Sequence, residues 1–347
     1  MVVRRMTPGS AHYVKKESES MALLLAPMEG LTDFHMRDVL TRLGYYDWCV
    51  TEFIRVTDRV HPARVFFHAC PELHAGGCTA AGTPVHVQLL GSDAAMLAAN
   101  AARAVELGAL AIDLNFGCPA KTVNNHGGGA VLLDTPETVH AIVRAVRAAV
   151  PADVPVSAKM RLGVRDRSRM IENAQGIEAA GAQWLTVHAR TKEDGYRPPA
   201  HWEAIAEIRS RVCLQVIANG EVWTPEDAAR CREVSGCDDL MLGRGAVTRP
   251  DLVNRIRGPA AQLSWAEMLQ AQRAFLDHME AARRVGTLPS PGDADQEPAR
   301  WTERGAIGRY KQWLGMLTRG YAEAVPLFDQ VKRLKTLTGI RQLLDGA

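Results

Sequence analysis

Among the residues able to do chemistry, Cys118 stands out because it closes the run Asn115-Phe116-Gly117-Cys118-Pro119 directly after a β-rich stretch, where a single thiol can be exposed and its pKa tuned. Such a thiol can serve as nucleophile or proton donor. Lys159 ends another β-rich run, and a lysine there can form a Schiff base, bind phosphate or face an electron-rich heterocycle. Position alone leaves these open. His188 and His126 are acid/base candidates, and Glu29 and Glu221 can share proton transfer or bind hydroxyls. Gly220 and the Gly243-Arg244-Gly245 turn suit an anion, with backbone N–H groups and one guanidinium facing it. Gly127-Gly128-Gly129 reads as a hinge, or as a lid beside Cys118.

Eight β-rich runs position these groups: Leu23 to Met28, Asp47 to Thr51, Val85 to Leu90, Ala111 to Phe116, Val156 to Arg161, Leu185 to Ala189, Leu214 to Ala218 and Leu240 to Gly243. Most lack strict in/out alternation, as expected of strands buried on both faces. Amphipathic stretches lie between them, with start signals at Ser92-Asp93, Thr135-Pro136-Glu137 and Thr224-Pro225-Glu226. This alternation predicts an α/β fold, a (β/α)8 TIM barrel, whose reactive groups sit at the carboxyl ends of the strands. A doubly wound open sheet is the lesser alternative, since no GxGxxG follows the first run.

After Leu252 the runs stop, and helices are predicted over Trp265 to Arg284, Arg304 to Thr318 and Ala324 to Leu344, the last broken near Thr338-Gly339. The organisation expected is an N-terminal extension over 1–20, a barrel over 21–260 and an all-helical C-terminal domain over 261–347. Gly286 to Pro298, acidic and proline-rich, reads as a loop inserted in that domain. Charge is segregated: −3 from Gln262 to Ala299, three basic residues against six acidic, and +6 from Arg300 to Gln342, nine against three.

The chain has 347 residues, 47% apolar and 23% charged, with net charge +2, which excludes disorder and collagen-like repeats. It shows no apolar run near the ~20 residues that a bilayer requires and no secretory h-region, so a cytoplasmic location is expected. Seven scattered cysteines without a CxxC pair argue against a disulfide scaffold and a zinc site.

Six motifs occur in order: Ala26-Pro27-Met28-Glu29-Gly30, Leu114 to Pro119, Gly127 to Ala130, Lys159-Met160-Arg161-Leu162-Gly163, Val187-His188-Ala189-Arg190-Thr191 and Ala218-Asn219-Gly220-Glu221. Together they resemble the tRNA-dihydrouridine synthases. Glu52 to Val56, Val87 to Gly91, Arg190 to Tyr196 and Lys311-Gln312-Trp313-Leu314 are most similar to the bacterial C-type enzymes, which act on uridine-16 of the tRNA D-loop.

The resemblance implies an FMN-binding barrel followed by a helical tRNA-binding domain, in a monomer without a metal. FMN would be held by Pro27, Met28, Glu29, Gln88, Lys159, His188, Asn219, Gly220, Glu221, Gly243 and Arg244. NADPH would reduce it, hydride would pass from N5 to C6 of the uracil, and Cys118 would protonate C5. Asn115, Arg161 and Tyr196, with Lys159, would orient the base, and Arg55, Arg309, Lys311 and Lys332 would contact tRNA. Phe116 and Ala120 depart from the family's frequent cysteine and serine. Two other readings compete: an FMN barrel reducing a small molecule, and an RNA-binding protein that keeps the barrel only as a scaffold.

Overall fold

A computed structural model describes residues 21–285 and 302–346. The expected N-terminal extension and the Gly286 to Pro298 loop lie outside the described residues.

Nine parallel strands form the sheet: β1 Leu23–Leu25, β2 Trp48–Val50, β3 Ile54–Arg55, β4 Val85–Leu90, β5 Ile112–Phe116, β6 Val156–Arg161, β7 Trp184–His188, β8 Gln215–Asn219 and β9 Leu240–Leu242. β1 pairs with β9 and β2 with β4, which closes eight of them into a barrel. β3 is an addition the sequence did not announce, a two-residue strand on the carboxyl end of β4. β4 and β6 match their expected bounds, and the other runs are trimmed or shifted by one to three residues at their ends.

Inside and outside follow the two-residue period of a strand. Leu24, Trp48, Val50, Trp184, Ile217 and Met241 form a small interior core, while Leu23, Leu25, Cys49, Leu185, Val187, Leu240 and Leu242 face the helices. On β5 and β6 apolar and polar residues alternate throughout, and on β4 they do so as far as Leu89. Val85, Val87 and Leu89, Ile112, Leu114 and Phe116, and Val156, Ala158 and Met160 belong to the outer core. The residues between them, including Gln88, Asp113, Asn115, Ser157 and Lys159, are polar and face the interior. The polar half of the barrel is therefore already the floor of a site.

The start signals work as predicted at two of three helices. Asp93 accepts from the N–H of Met96, and Thr224 forms a capping box with Asp227, whereas the Thr135 side chain makes no cap bond. The helical tail comprises Trp265–Val285, Glu303–Leu317, Ala324–Val331 and Leu337–Asp345. Its last break falls between Val331 and Leu337, not at Thr338-Gly339. Thr336 caps the new helix by accepting from the N–H of Gly339, so the glycine sits in a first turn, where its low helix propensity costs little. Trp265–Val285 packs on Phe34–Leu43 of the barrel, and buried Trp313 donates its indole N–H to the carbonyl of Val247 at 3.3 Å. Among the described residues no helix is long and apolar enough to cross a membrane.

Candidate active site

A cleft with about 920 Å³ of free space opens at the carboxyl ends of the strands. Cys118, Asn115, Arg161, Tyr196 and all eleven residues expected to hold the cofactor, from Pro27 to Arg244, line it. Glu52, Phe53, Arg190, Val222 and Trp223 line it too. Glu52 and Phe53 directly follow the second predicted run, at a strand end. That position was the signal for them.

The cysteine loop is held at both ends of its backbone. Asn115 Oδ1 accepts from the N–H groups of Gly117 and Cys118, each at 2.9 Å, while the Cys118 carbonyl accepts from Asn124 Nδ2 at 2.8 Å and from the Ala130 N–H at 3.1 Å. Burial, and secondarily Glu29, push the thiol pKa up against the pull of Arg161 and Lys159. The thiol stays protonated at neutral pH. Gly129 has φ +69, and a Cβ there would lie 2.7 Å from the Cys118 carbonyl oxygen, so the glycine run packs closely against the cysteine loop.

Lys159 Nζ donates to Asn219 Oδ1 at 3.0 Å, and Asn219 Nδ2 donates to the Met241 carbonyl at 2.8 Å. Burial, with Arg161 adding to it, lowers the Lys159 pKa to about 8 against the opposing pull of Asp113 and Cys118. The ammonium is thus cationic at neutral pH but easily discharged. His188 lies well below its ordinary pKa through burial and four neighbouring cations, and presents a neutral imidazole.

Arg190, part of the Val187 to Thr191 motif, was not among the residues expected to form the site. It is fully buried, pairs with Glu221 through Nη2, and donates from Nε to the Arg197 carbonyl at 2.7 Å. Its Nη1 has no hydrogen-bond partner among the described residues. Burial, Arg244 and Arg161 push its pKa down to about 10. A buried guanidinium with an orphaned donor, beside a second arginine, calls for an anion. Glu221, at φ +62, accepts from Arg190 and from Trp223 Nε1 at 2.9 Å, so its carboxylate is spent on holding the loop. Glycine is required nearby, since a Cβ on Gly245 would meet the Val222 carbonyl oxygen at 2.2 Å.

Other expected contacts are also committed. Arg161 donates to the carbonyls of Gly117, Thr191 and Gly195 at 2.8 to 2.9 Å, tying the cysteine loop to the loop after β7. Tyr196, 54% exposed, lies between the guanidiniums of Arg161 and Arg244, 5.1 and 4.9 Å from its ring centroid. The four expected tRNA contacts lie outside the cleft. Arg309 donates to Asp33 and to the carbonyls of Gly30 and Leu31, Lys311 to those of Lys332 and Leu334, and Lys332 pairs with Asp329. Arg55 borders a separate surface pocket with Ser92, His126 and Gly128.

A protonated thiol facing a cationic, anion-seeking floor at the mouth of a parallel barrel defines an enzyme site. The family model described as dihydrouridine synthase (Dus) matches residues 24–285. A tRNA-dihydrouridine(16) synthase of Aquipseudomonas alcaligenes is 53% identical over 329 residues, 93% of this chain and 99% of that protein. Those of Shewanella oneidensis and Neisseria meningitidis serogroup B are 48% and 46% identical, covering 94% and 93% of this chain and 98% and 93% of theirs. The chain belongs to the dihydrouridine synthase family of oxidoreductases. Among solved structures, histamine dehydrogenase from Rhizobium sp. 4-9 matches with a TM-score of 0.52 at 14% identity, over 72% of this chain and 46% of that one, a likeness of fold.

Proposed function

We propose that the protein reduces a uridine of the tRNA D-loop, uridine-16, to 5,6-dihydrouridine, with FMN as resident cofactor and NADPH as reductant. The observation that carries the reading is the cleft shared by a protonated Cys118 and a group of cations, of which buried Arg190 keeps one donor, Nη1, without a partner among the described residues. The residues fit FMN: the orphaned Nη1 of Arg190, the guanidinium of Arg244 and the glycine turns at Gly220 and Gly243 would hold the phosphate. Lys159 would face the polar edge of the ring. When bound, FMN supplies the hydride for C6 of the uracil, and NADPH restores it.

Cys118 holds the proton that goes to C5, and the thiolate left behind regains one from water. Arg161 and Asn115 keep the cysteine loop in place, and the ring of Tyr196 offers a stacking face at the mouth. The uridine must leave the RNA stack to enter, at a cost of a few kcal/mol. The +6 balance of Arg300 to Gln342 supports phosphate binding by the tail. Arg55, which borders a surface pocket on the barrel, would add a further phosphate contact.

The test is position-resolved mapping of dihydrouridine in unmodified tRNA incubated with protein, FMN and NADPH, beside Cys118→Ala. Dihydrouridine at position 16, reduced roughly 10²- to 10⁴-fold in the variant, supports the proposal. Product at another D-loop position overturns the site assignment alone. NADPH oxidation without any reduced uridine would favour a small-molecule reductase.

A further inference from the structure

One buried carboxylate in the barrel has no part in the mechanism above. Asp113 on β5 is 1% exposed and lies in register with Gln88 on β4 and Ser157 on β6. Its Oδ2 accepts from Gln88 Nε2 and its Oδ1 from Ser157 Oγ, both at 2.6 Å. Gln88 Oε1 in turn accepts from Asn115 Nδ2 at 2.7 Å, and Asn115 Oδ1 accepts from the N–H groups of Gly117 and Cys118.

This chain of bonds has a direction. Its far end is two backbone N–H groups, which can only donate, and its near end is a carboxylate, which can only accept. The two amides between them are each able to turn over, and each orientation dictates the next. A reversed Gln88 would set its oxygen against the carboxylate and its NH₂ against that of Asn115. A reversed Asn115 would set NH₂ against the N–H of Cys118. Burial raises the pKa of Asp113, while the bonds from Ser157 and Gln88 and the charge of Lys159 oppose the rise. Two close donors and a nearby ammonium fit an ionised carboxylate.

We propose that Asp113 is a positioning residue for the cysteine loop: an acceptor-only anchor that fixes, through the amides of Gln88 and Asn115, the hydrogen bond to the backbone N–H of Cys118. The inference concerns the conformation of the loop. It rests on the proposed reaction only where turnover is the readout.

The experiment exchanges charge and amide between positions 113 and 88. In a Cys213→Ser background, which removes the exposed thiol, the rate at which iodoacetamide alkylates Cys118 is followed on its own peptide at neutral pH. Melting temperature and flavin content are recorded beside it. Asp113→Leu removes the acceptor, so that Gln88 and then Asn115 can turn over and free the loop, and is expected to raise alkylation roughly tenfold, the effect of losing one buried hydrogen bond. Asp113→Asn with Gln88→Glu restores the polarity. In that double variant the amide introduced on β5 donates to the carboxylate introduced on β4, the same carboxylate accepts from Asn115, and Ser157 still has an acceptor. Alkylation should return to within about twofold of the parent.

Ser157→Ala removes a donor to Asp113 without reversing any amide, and should also stay within about twofold. It remains informative even where an exchange at 88 fails to fold. The proposal is overturned if the double variant alkylates as fast as Asp113→Leu, or if Ser157→Ala loosens the loop as much. If alkylation follows the predicted pattern while Cys118→Ala still makes dihydrouridine, the relay stands and the role of Cys118 as acid falls.

Discussion

Removing Arg309 separates two roles for that residue. The resemblance makes it a tRNA contact, whereas the structure makes it a strut between the helix Glu303–Leu317 and the loop after β1. Its guanidinium bonds Asp33 at 2.9 to 3.0 Å, the Leu31 carbonyl at 2.7 Å and the Gly30 carbonyl, and Asp33 Oδ1 also caps the helix Phe34–Leu43. Arginine and aspartate are only 17% and 16% exposed, so solvent screens the pair little. Charge-assisted bonds of this kind contribute about 1.5–3 kcal/mol each, but they share one guanidinium and water can reach the freed carbonyls, so Arg309→Ala should cost about 2–3 kcal/mol in all. At about 2.1 cal/mol/K per residue, that corresponds in a chain of this length to a fall in melting temperature of about 3–4 °C.

The same loop carries Met28 and Glu29 into the cleft, so flavin affinity should weaken about tenfold if roughly 1.4 kcal/mol of the loss reaches it. Calorimetry and a flavin fluorescence titration, both without RNA, measure the two effects. Lys332→Ala is the control: its pair with Asp329 is exposed, 46% and 62%, and should contribute less than about 1 kcal/mol. The reasoning fails if Arg309→Ala melts within about 1 °C of the parent and binds flavin normally, yet raises the KM for tRNA.

Three further outcomes follow. Lys159 loses its proton as pH rises through about 8, so flavin binding should weaken above that pH, and Lys159→Met should flatten the profile. In the cofactor-free chain the sign is opposite: between about 8 and about 10.4 the unfolded state binds the proton that the folded state has released, so this residue's contribution to stability rises with pH, which denaturant midpoints can follow. Glu72→Gln should cost about 3–5 kcal/mol in urea unfolding by leaving Arg37, fully buried and bonded to Glu72 at 2.8 and 2.9 Å, without its counter-charge, and a loss below about 1 kcal/mol would contradict this. Gly245→Ala should yield protein purified without flavin but with near-parental circular dichroism, because the new Cβ collides with the Val222 carbonyl in the cleft wall; retained yellow colour would refute it.

The barrel was legible because eight β-rich runs separated by capped helices admit few other closed arrangements, and the site because such barrels gather their chemistry at one end of the strands. That is why Cys118, Lys159, His188 and Arg244 were found from position. The alternation on β4, β5 and β6 was also present in the sequence, and read at period two it marks Asp113 and Ser157 as inward-facing. What no local pattern contains is which polar group is spent on which partner. Asn219 and Glu221 read as cofactor ligands, yet one holds Lys159 and the other Arg190, 60 and 31 residues away. Arg309 and Lys311, which the resemblance makes tRNA contacts, both bind backbone carbonyls, the former across 278 residues.

Sequence by itself determined the class of fold and the end of the barrel where polar groups gather, and it marked Cys118 without deciding between nucleophile and proton donor, because strand period, caps and glycine turns act over a few residues. Tertiary structure alone decided which cations remain unsatisfied, which amides are oriented and which loop the tail braces. Those outcomes depend on hydrogen bonds between strands and helices that are distant in the chain, where a buried donor takes the nearest acceptor that folding brings to it.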